Sequence, residues 1–180
     1  TPMELTFRMQ IHLKKIDVSQ LHDLRDISIL TFKETFEDQN TPENMQWYFE
    51  NTMNIDHIQE ELLNPDSSFY FAYNQNQTIG YLKLNFNNAQ TENVLKNNGF
   101  EIERIYIKKE FQGNGFGSEL FSTAINLGIK KGCNQLWLGV WEHNYKALAF
   151  YKKKGLIAFD HHVFQLGDDP QTDILMYLKF

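Results

Sequence analysis

A glycine-rich segment between a strand pattern and a helix pattern constrains the fold of this chain more than any other feature. The segment runs from Gln112 to Ser118 and reads Gln-Gly-Asn-Gly-Phe-Gly-Ser. Glu101–Lys108, before it, is predicted to be a strand, and apolar residues at helical spacing predict a helix from Gly115 to Lys131. The near-continuous apolar run Gln135–Trp141 then predicts a buried strand. This succession predicts an α/β protein with a mixed sheet.

The remaining patterns extend this arrangement over a single predicted domain, residues 1–180. Further strands are predicted at Phe7–Leu13, Ser68–Tyr73, Thr78–Phe86, Ile157–Gln165 and Asp173–Lys179. Further helices are predicted from Asp17 or Ser19 to Phe36, from Thr41-Pro42 onward, over Ile55–Leu63 and over Asn144–Lys154. The segment Ala89–Asn97 fits either a short helix or a loop. No repeat, low-complexity segment or Pro/Gly linker divides the chain, and this supports one domain.

The strand pattern over Glu101–Lys108 alternates strictly, and alternation assigns side chains to two faces of a sheet. Ile102, Arg104 and Tyr106 are expected on one face. Glu103, Ile105 and Ile107 are expected on the other, with Glu101 beside Glu103.

Charge and composition narrow the class of function. The chain has 180 residues and a formal net charge of −6, which disfavours nucleic-acid binding because that binding needs a basic surface. No run approaches the roughly 18 apolar residues of a membrane span, and residues 1–8 lack the apolar region of a signal peptide. Cys133 is the only cysteine, so no intramolecular disulfide can form and a cytoplasmic location is expected. The histidines show no ligand spacing, and no metal site is predicted.

The glycine-rich segment has the local chemistry of a phosphate site. A loop that opens a helix presents unpaired backbone N–H groups and the positive end of the helix dipole, and glycine lets a ligand approach the backbone. The segment is not a P-loop, because no lysine follows Gly117. Gly113, Gly115 and Gly117 also lack the spacing of the Rossmann fingerprint. A glycine-rich turn that binds nothing is the alternative.

The pattern Gln112-x-x-Gly115-x-Gly117 resembles the pyrophosphate-binding signature of the GNAT superfamily of N-acetyltransferases. The resemblance continues in Arg104-Ile105-Tyr106-Ile107, Leu136–Trp141, Asn144, Phe150-Tyr151 and Gly155-Leu156. It implies the GNAT fold, a mixed, mostly antiparallel twisted sheet of about seven strands flanked by helices, with a splay between strands four and five. It also implies acetyl-coenzyme A as cosubstrate and direct transfer of the acetyl group without an acyl-enzyme.

Other segments resemble the PaiA-type spermidine/spermine N-acetyltransferases within that superfamily. They are Thr35-Phe36, Gln39-Asn40, Pro42-Glu43-Asn44-Met45, Glu101–Lys108, Trp137–Glu142 and Gln171-Thr172-Asp173. This resemblance implies a small-molecule primary amine as acceptor, and a polyamine before others. A protein or peptide amine, and a non-catalytic acyl-coenzyme A sensor, stay open as alternatives. No nucleic-acid or membrane partner is expected, and the oligomeric state is left open, with a homodimer as one option.

The resemblance also assigns roles to individual residues. Cofactor binding falls to Ile105, Tyr106, Ile107, Gln112, Gly113, Asn114, Gly115, Phe116, Gly117, Ser118, Asn144 and Tyr151. Tyr151 is the expected proton donor to the leaving thiolate, since a phenol with a pKa near 10 can donate to it. Glu103, or otherwise Glu101, is expected to hold the amine or relay its proton.

Each of these roles has a structural alternative. Tyr151 could simply pack in the helix core, and the two strand glutamates could face solvent. Helix carboxylates could line an acceptor cleft, but solvated helix faces are the favoured expectation for Glu34, Glu37, Asp38, Glu60 and Glu61.

Overall fold

The computed structural model of the protein describes residues 10–95 and 98–180. Its centre is a seven-stranded sheet in the order β1-β2-β3-β4-β5-β7-β6. The strands are β1 His12–Lys15, β2 Ser67–Asn74, β3 Gln77–Asn85, β4 Gly99–Ile107, β5 Gln135–Trp141, β6 Ile157–Leu166 and β7 Asp169–Lys179. Among these strands every neighbouring pair is antiparallel except β4 and β5, which run parallel. The prediction of a mixed, mostly antiparallel sheet of about seven strands is confirmed.

Helices flank this sheet and begin at or within a few residues of the positions that the sequence predicts. They are α1 Leu21–Phe36, α2 Pro42–Asn51, α3 Ile55–Leu63, α4 Phe116–Lys130 and α5 Tyr145–Lys153. Before α1, Asp17 forms a capping box with Gln20 in a short 3-10 turn. At the start of α2, the Thr41 side chain accepts a hydrogen bond from the Asn44 N–H, and Pro42 occupies the first turn.

The sheet separates two apolar cores. On the α4 face, α4 and α5 pack with Leu82, Phe100 and Leu136. On the α1 face, α1, α2 and α3 pack with Phe69 and Tyr81. The missing side chain of Gly128 lets α4 approach β4 closely, because a Cβ at that position would lie 2.1 Å from the Phe100 ring.

The parallel strands β4 and β5 pair over only a short stretch. Their register joins Gly99 to Gln135, Phe100 to Leu136 and Glu101 to Trp137, and the pairing ends there. Each strand continues to pair on its other side, β4 with β3 and β5 with β7. The two strands therefore separate beyond Glu101, which confirms the predicted splay.

A β-bulge in β4 overturns the predicted alternation of side chains. Leu84 pairs with Ile102 and Lys83 pairs with Arg104, so Glu103 is the extra residue. Glu103 and Arg104 both point to the α1 face, where each forms an ion pair, whereas Ile102 packs in the core of the α4 face. The expectation that Ile102 shares a face with Arg104 was wrong, as was the expectation that Glu103 shares one with Ile105. Alternation requires one residue per partner residue, and a bulge breaks that count.

The structure describes only parts of two segments for which the sequence made predictions, Phe7–Leu13 and Ala89–Asn97. In the predicted strand Phe7–Leu13, residues 7–9 lie outside the described residues, and the observed strand β1 begins at His12. In Ala89–Asn97, a 3-10 turn over Asn87–Ala89 leads into a loop, and residues 96–97 lie outside the described residues. In the part of the chain that the structure describes, no helix combines the length and apolarity that a membrane crossing requires.

Candidate active site

A cleft of about 580 Å³ opens where β4 and β5 separate. Its walls come from both faces of the sheet, namely the end of α1 on one face and the start of α4 with much of α5 on the other. The cleft therefore crosses the sheet through the splay. The predicted cofactor residues that border it are Ile105, Tyr106, Ile107, Gln112, Gly113, Gly115, Gly117, Ser118, Asn144 and Tyr151.

The glycine-rich loop enters α4 with exposed backbone N–H groups. The Gln112 side chain donates a 3.0 Å hydrogen bond to the Ile107 carbonyl, which ties the loop to the end of β4. Gly113 and Gly115 have φ of 81° and 82°, a left-handed conformation that favours glycine. Gly115 is the N-cap of α4 and supplies no side-chain cap, so the first N–H groups of α4 receive no such partner. The arrangement suits an anion such as a pyrophosphate.

Asn114 and Phe116, two loop residues predicted to bind the cofactor, do not border the cleft with their side chains. The Asn114 amide donates to the carbonyls of Phe111 and Gln112, so it folds the loop. Phe116 is buried in the core under α4. A role for either residue in cofactor binding rests on its backbone N–H.

The sequence analysis did not identify the lysines that surround the glycine-rich loop. Lys146 borders the cleft, and its Nζ lies 3.3 Å from the Gln112 Oε1. Lys154 donates a hydrogen bond to the Ser118 hydroxyl. Lys109 also borders the cleft, beside the loop. These cations add attraction for phosphate groups; the available signal was the position of Lys146 two residues after Asn144.

Helix α5 brings Asn144 and Tyr151 to the same cleft. The Asn144 side chain accepts a 3.2 Å hydrogen bond from the Ala147 N–H, so it caps α5 while bordering the cleft. The Tyr151 ring packs against Phe121 and Phe150 and is only 8% exposed. Burial raises the pKa of Tyr151, so its phenol stays protonated at neutral pH. Packing and a chemical role are therefore compatible for this residue.

Glu103 borders the cleft but belongs to a buried group of four charges. Lys83 contacts the carboxylates of both Glu61 and Glu103. Arg104 lies 3.0 Å from the Glu61 carboxylate and 3.8 Å from that of Glu103. Burial would raise the pKa of Glu61, yet Arg104 and Lys83 hold that pKa below its usual value. Glu103 therefore faces the cleft with its charge largely balanced by its neighbours.

Glu101 lies on the same face of the sheet as Glu103, but it does not border the cleft. Its carboxylate accepts hydrogen bonds from the Asn85 amide and from the N–H and hydroxyl of Thr91. It is only 3% exposed, and burial, with a contribution from Glu103, raises its pKa. The structure thus places Glu101 as an anchor for the loop between β3 and β4.

The end of α1 supplies one wall of the cleft, with Glu34, Thr35 and Phe36. The Glu34 carboxylate accepts a hydrogen bond from the Lys109 N–H at 3.2 Å, which links α1 to the segment before the glycine-rich loop. Glu34 and Glu61 are both partly buried, Glu34 at the cleft and Glu61 in the charge cluster, where its side chain is 13% exposed. The favoured expectation of solvated helix faces was therefore wrong for these two residues; helix packing against β3 and β4 could not be read from helical spacing.

Comparison with known proteins identifies the family to which this chain belongs. The family model described as the acetyltransferase (GNAT) family matches residues 21–156. The chain belongs to the GNAT family. It is an acetyl-coenzyme A-dependent N-acetyltransferase, and the cleft is the candidate site of that GNAT activity.

Similar proteins cover nearly the whole GNAT chain. An uncharacterized N-acetyltransferase in the pepI 3′ region of Lactobacillus delbrueckii subsp. lactis is 44% identical over 166 residues, which are 92% of this chain and 95% of that protein. PaiA N-acetyltransferase from Thermoplasma acidophilum, solved with coenzyme A, has a TM-score of 0.75 at 23% identity and covers 96% of this chain and 100% of its own. Spermidine N-acetyltransferase from Vibrio cholerae, solved with coenzyme A and spermine, has a TM-score of 0.68 at 18% identity, with coverages of 94% and 95%.

Proposed function

We propose that this GNAT enzyme acetylates a primary amine of a polyamine by direct attack on acetyl-coenzyme A. The cleft through the sheet is the observation that carries the proposal. It has the phosphate loop and Tyr151 on the α4 face, and Glu103 and Glu34 on the α1 face. A donor and an acceptor that enter from opposite faces can meet in the splay.

The proposed donor site uses backbone more than side chains. The N–H groups of residues 114–118 would hold the pyrophosphate, with Lys146 nearby. Beyond Glu101, the edge of β4 that faces β5 has no strand partner. The backbone of Ile105 and the N–H of Ile107 are therefore available to pair with the amides of the pantetheine arm, as an added strand would, while the Ile107 carbonyl already accepts from the Gln112 side chain. Tyr106 continues this wall toward the α1 face, and Asn144 borders the same space.

The proposed reaction forms one bond and breaks another. The neutral amine nitrogen attacks the thioester carbon, the C–N bond forms, and the C–S bond breaks with departure of the thiolate. The Tyr151 phenol gives its proton to that thiolate. Before the attack, the ammonium form of the amine loses one proton through water, along a route beside Glu103. After the attack, the nitrogen loses its second proton through water, which restores the Tyr151 phenol, so one proton in all is released for each acetyl group transferred.

Direct attack is favoured over an acyl-enzyme by the position of Cys133. This residue follows α4, where its N–H donates to the Gly128 carbonyl, and it does not border the cleft. Burial raises the pKa of its thiol, which lowers the fraction of nucleophilic thiolate. The proposed route therefore needs no cysteine.

The polyamine proposal is supported by acidic groups and by similar proteins. Glu34 and Glu103 both border the acceptor side, although the charge of Glu103 is partly offset. The Vibrio cholerae enzyme of similar fold is named as a spermidine acetyltransferase and binds spermine. An acceptor with several ammonium groups suits such a wall better than a neutral amine does.

A panel of acceptors tests the proposal. Spermidine, spermine, putrescine, lysine and lysine-containing peptides would be offered with acetyl-coenzyme A, and thiol release would be followed. We expect the polyamines to give the highest kcat/KM. A preference for peptides would replace polyamine by protein acetylation, and coenzyme A binding without any turnover would support a sensor.

A further inference from the structure

A second cavity of about 360 Å³ lies beside the acceptor end of the active-site cleft. It is formed by the turn after α1, the end of β5 with the turn that follows, and the start of β7. Trp141 borders both this cavity and the main cleft. The indole is therefore a shared wall, along which an extended ligand could pass from one space to the other.

The chemistry of the second cavity favours a cation. Glu142 and Asp169 both border it, and no lysine or arginine is among the described residues that do. The His143 ring lies 3.5 Å from the Glu142 carboxylate and is 52% exposed.

Gln171 adds an independent sign that a ligand belongs there. Its amide nitrogen donates to Asn40 Oδ1 at 2.6 Å and to Asp169 Oδ2 at 2.9 Å, which fixes the orientation of the amide. Its Oε1 is buried and has no hydrogen-bond partner among the described residues, and the side chain is only 7% exposed. A buried amide oxygen without a partner is costly, and a donor on a ligand would satisfy it.

We propose that this cavity binds the distal ammonium group of a polyamine whose other end reacts in the main cleft. The inference rests on the proposed function above. The ammonium donates hydrogen bonds to Gln171 Oε1 and is attracted by Glu142 and Asp169. The methylene chain packs along Trp141. The cavity thereby selects for acceptors long enough to reach it.

The test uses the double variant Glu142→Gln/Asp169→Asn. Both residues are partly or fully exposed, and the new amides keep the shape of the carboxylates, so the fold is expected to persist. Gln171→Leu is less suitable, because it would also remove the bonds to Asn40 and Asp169. The matched control is Asp26→Asn/Glu50→Gln, which makes the same change of net charge at exposed residues that border neither cavity.

Two readouts test the distal site. One is kcat/KM for spermidine and for n-butylamine, and the other is calorimetric binding of spermidine to the enzyme with coenzyme A. We expect the double variant to lose roughly 30-fold in spermidine kcat/KM and affinity, because each of two partly exposed ion pairs contributes up to about 1 kcal/mol. Its n-butylamine kcat/KM should stay within about twofold, as should both values in the control. An unchanged spermidine affinity, or an equal loss for both amines, would overturn the distal site alone. A wild-type enzyme that acetylates peptides but no polyamine would overturn the proposed function as well.

Discussion

Gly117→Ala separates cofactor binding from folding more cleanly than any other change in the phosphate loop. Gly117 lies in the first turn of α4 and borders the cleft. An added Cβ would meet no atom within 4 Å, so the protein itself accommodates a methyl group there. Gly115 cannot serve in this way, because its φ of 82° would strain any larger residue.

The two expected effects of Gly117→Ala have opposite signs. Alanine in place of glycine favours a helix by about 0.5–1 kcal/mol. For a domain of this size that corresponds to a rise in Tm of about 1–4 °C. The methyl group would stand where phosphates approach the backbone. Losing one charge-assisted hydrogen bond to an N–H costs about 1.5–3 kcal/mol, or about 10- to 150-fold in the Kd for coenzyme A.

Calorimetric titration with coenzyme A and thermal unfolding of the free protein would measure both effects. The matched control is Asn126→Ala, an exposed position later in α4 that also gains helix propensity. This control should raise Tm and leave the Kd unchanged. If a folded Gly117→Ala protein kept the wild-type Kd, the phosphates would not approach this turn, and the assignment of the loop would be refuted.

Three further changes test the chemistry and the charges. Tyr151→Phe should lower kcat about 10²- to 10⁴-fold and spare the Kd for coenzyme A, since it removes the proton donor and keeps the packing ring. Glu103→Gln should lower kcat/KM for a polyamine more than it changes that Kd, with the largest loss at lower pH, where less amine is neutral; a pH–rate profile measures this. Glu101→Gln should raise Tm at pH 7. The folded pKa of Glu101 is raised, so its contribution to stability is present below about pH 4.5 and lost as pH rises through the folded value.

For each of these three predictions, one outcome would contradict the reasoning. Full activity of Tyr151→Phe at every pH would remove Tyr151 as the acid. For Glu103 the control is the double variant Glu103→Gln/Lys83→Met, which leaves the Arg104–Glu61 pair balanced. Recovery of both Tm and activity in that variant would show that Glu103 is only a counter-ion. If the Glu101→Gln protein lost as much stability between pH 4 and pH 7 as the wild type does, Glu101 would be excluded as the source of this pH dependence of stability.

Local sequence determined much of the fold. Thr41-Pro42, the glycine-rich loop and the helix over Ile55–Leu63 could be predicted because caps, turns and helical spacing depend on near neighbours in the chain. The strands around the Gln75-Asn76 turn were likewise predicted from their residues and the polar turn between them. The family pattern from Gln112 to Gly117 then linked the loop to a phosphate-containing cosubstrate.

Long-range pairing decided the rest of the site. The bulge at Glu103 depends on how β4 meets β3, and no pattern within β4 alone contains that register. The charge cluster requires α3 to bring Glu61 onto Lys83 and Arg104. The predicted roles of Glu103 and Tyr151 stay proposals, but only the tertiary structure showed that one carries a nearly balanced charge and that the other is buried.

The sequence by itself determined the order of strands and helices, the position of the glycine-rich loop and the class of reaction, because each depends on residues close together in the chain. The tertiary structure alone decided which carboxylates line the cleft and the second cavity. Glu34, Glu103, Glu142 and Asp169 come from α1, from β4, from the turn after β5 and from β7, and the fold brings them to two neighbouring cavities. Charges far apart in sequence act together only when the fold places them within a few ångströms, where low-dielectric surroundings strengthen their fields.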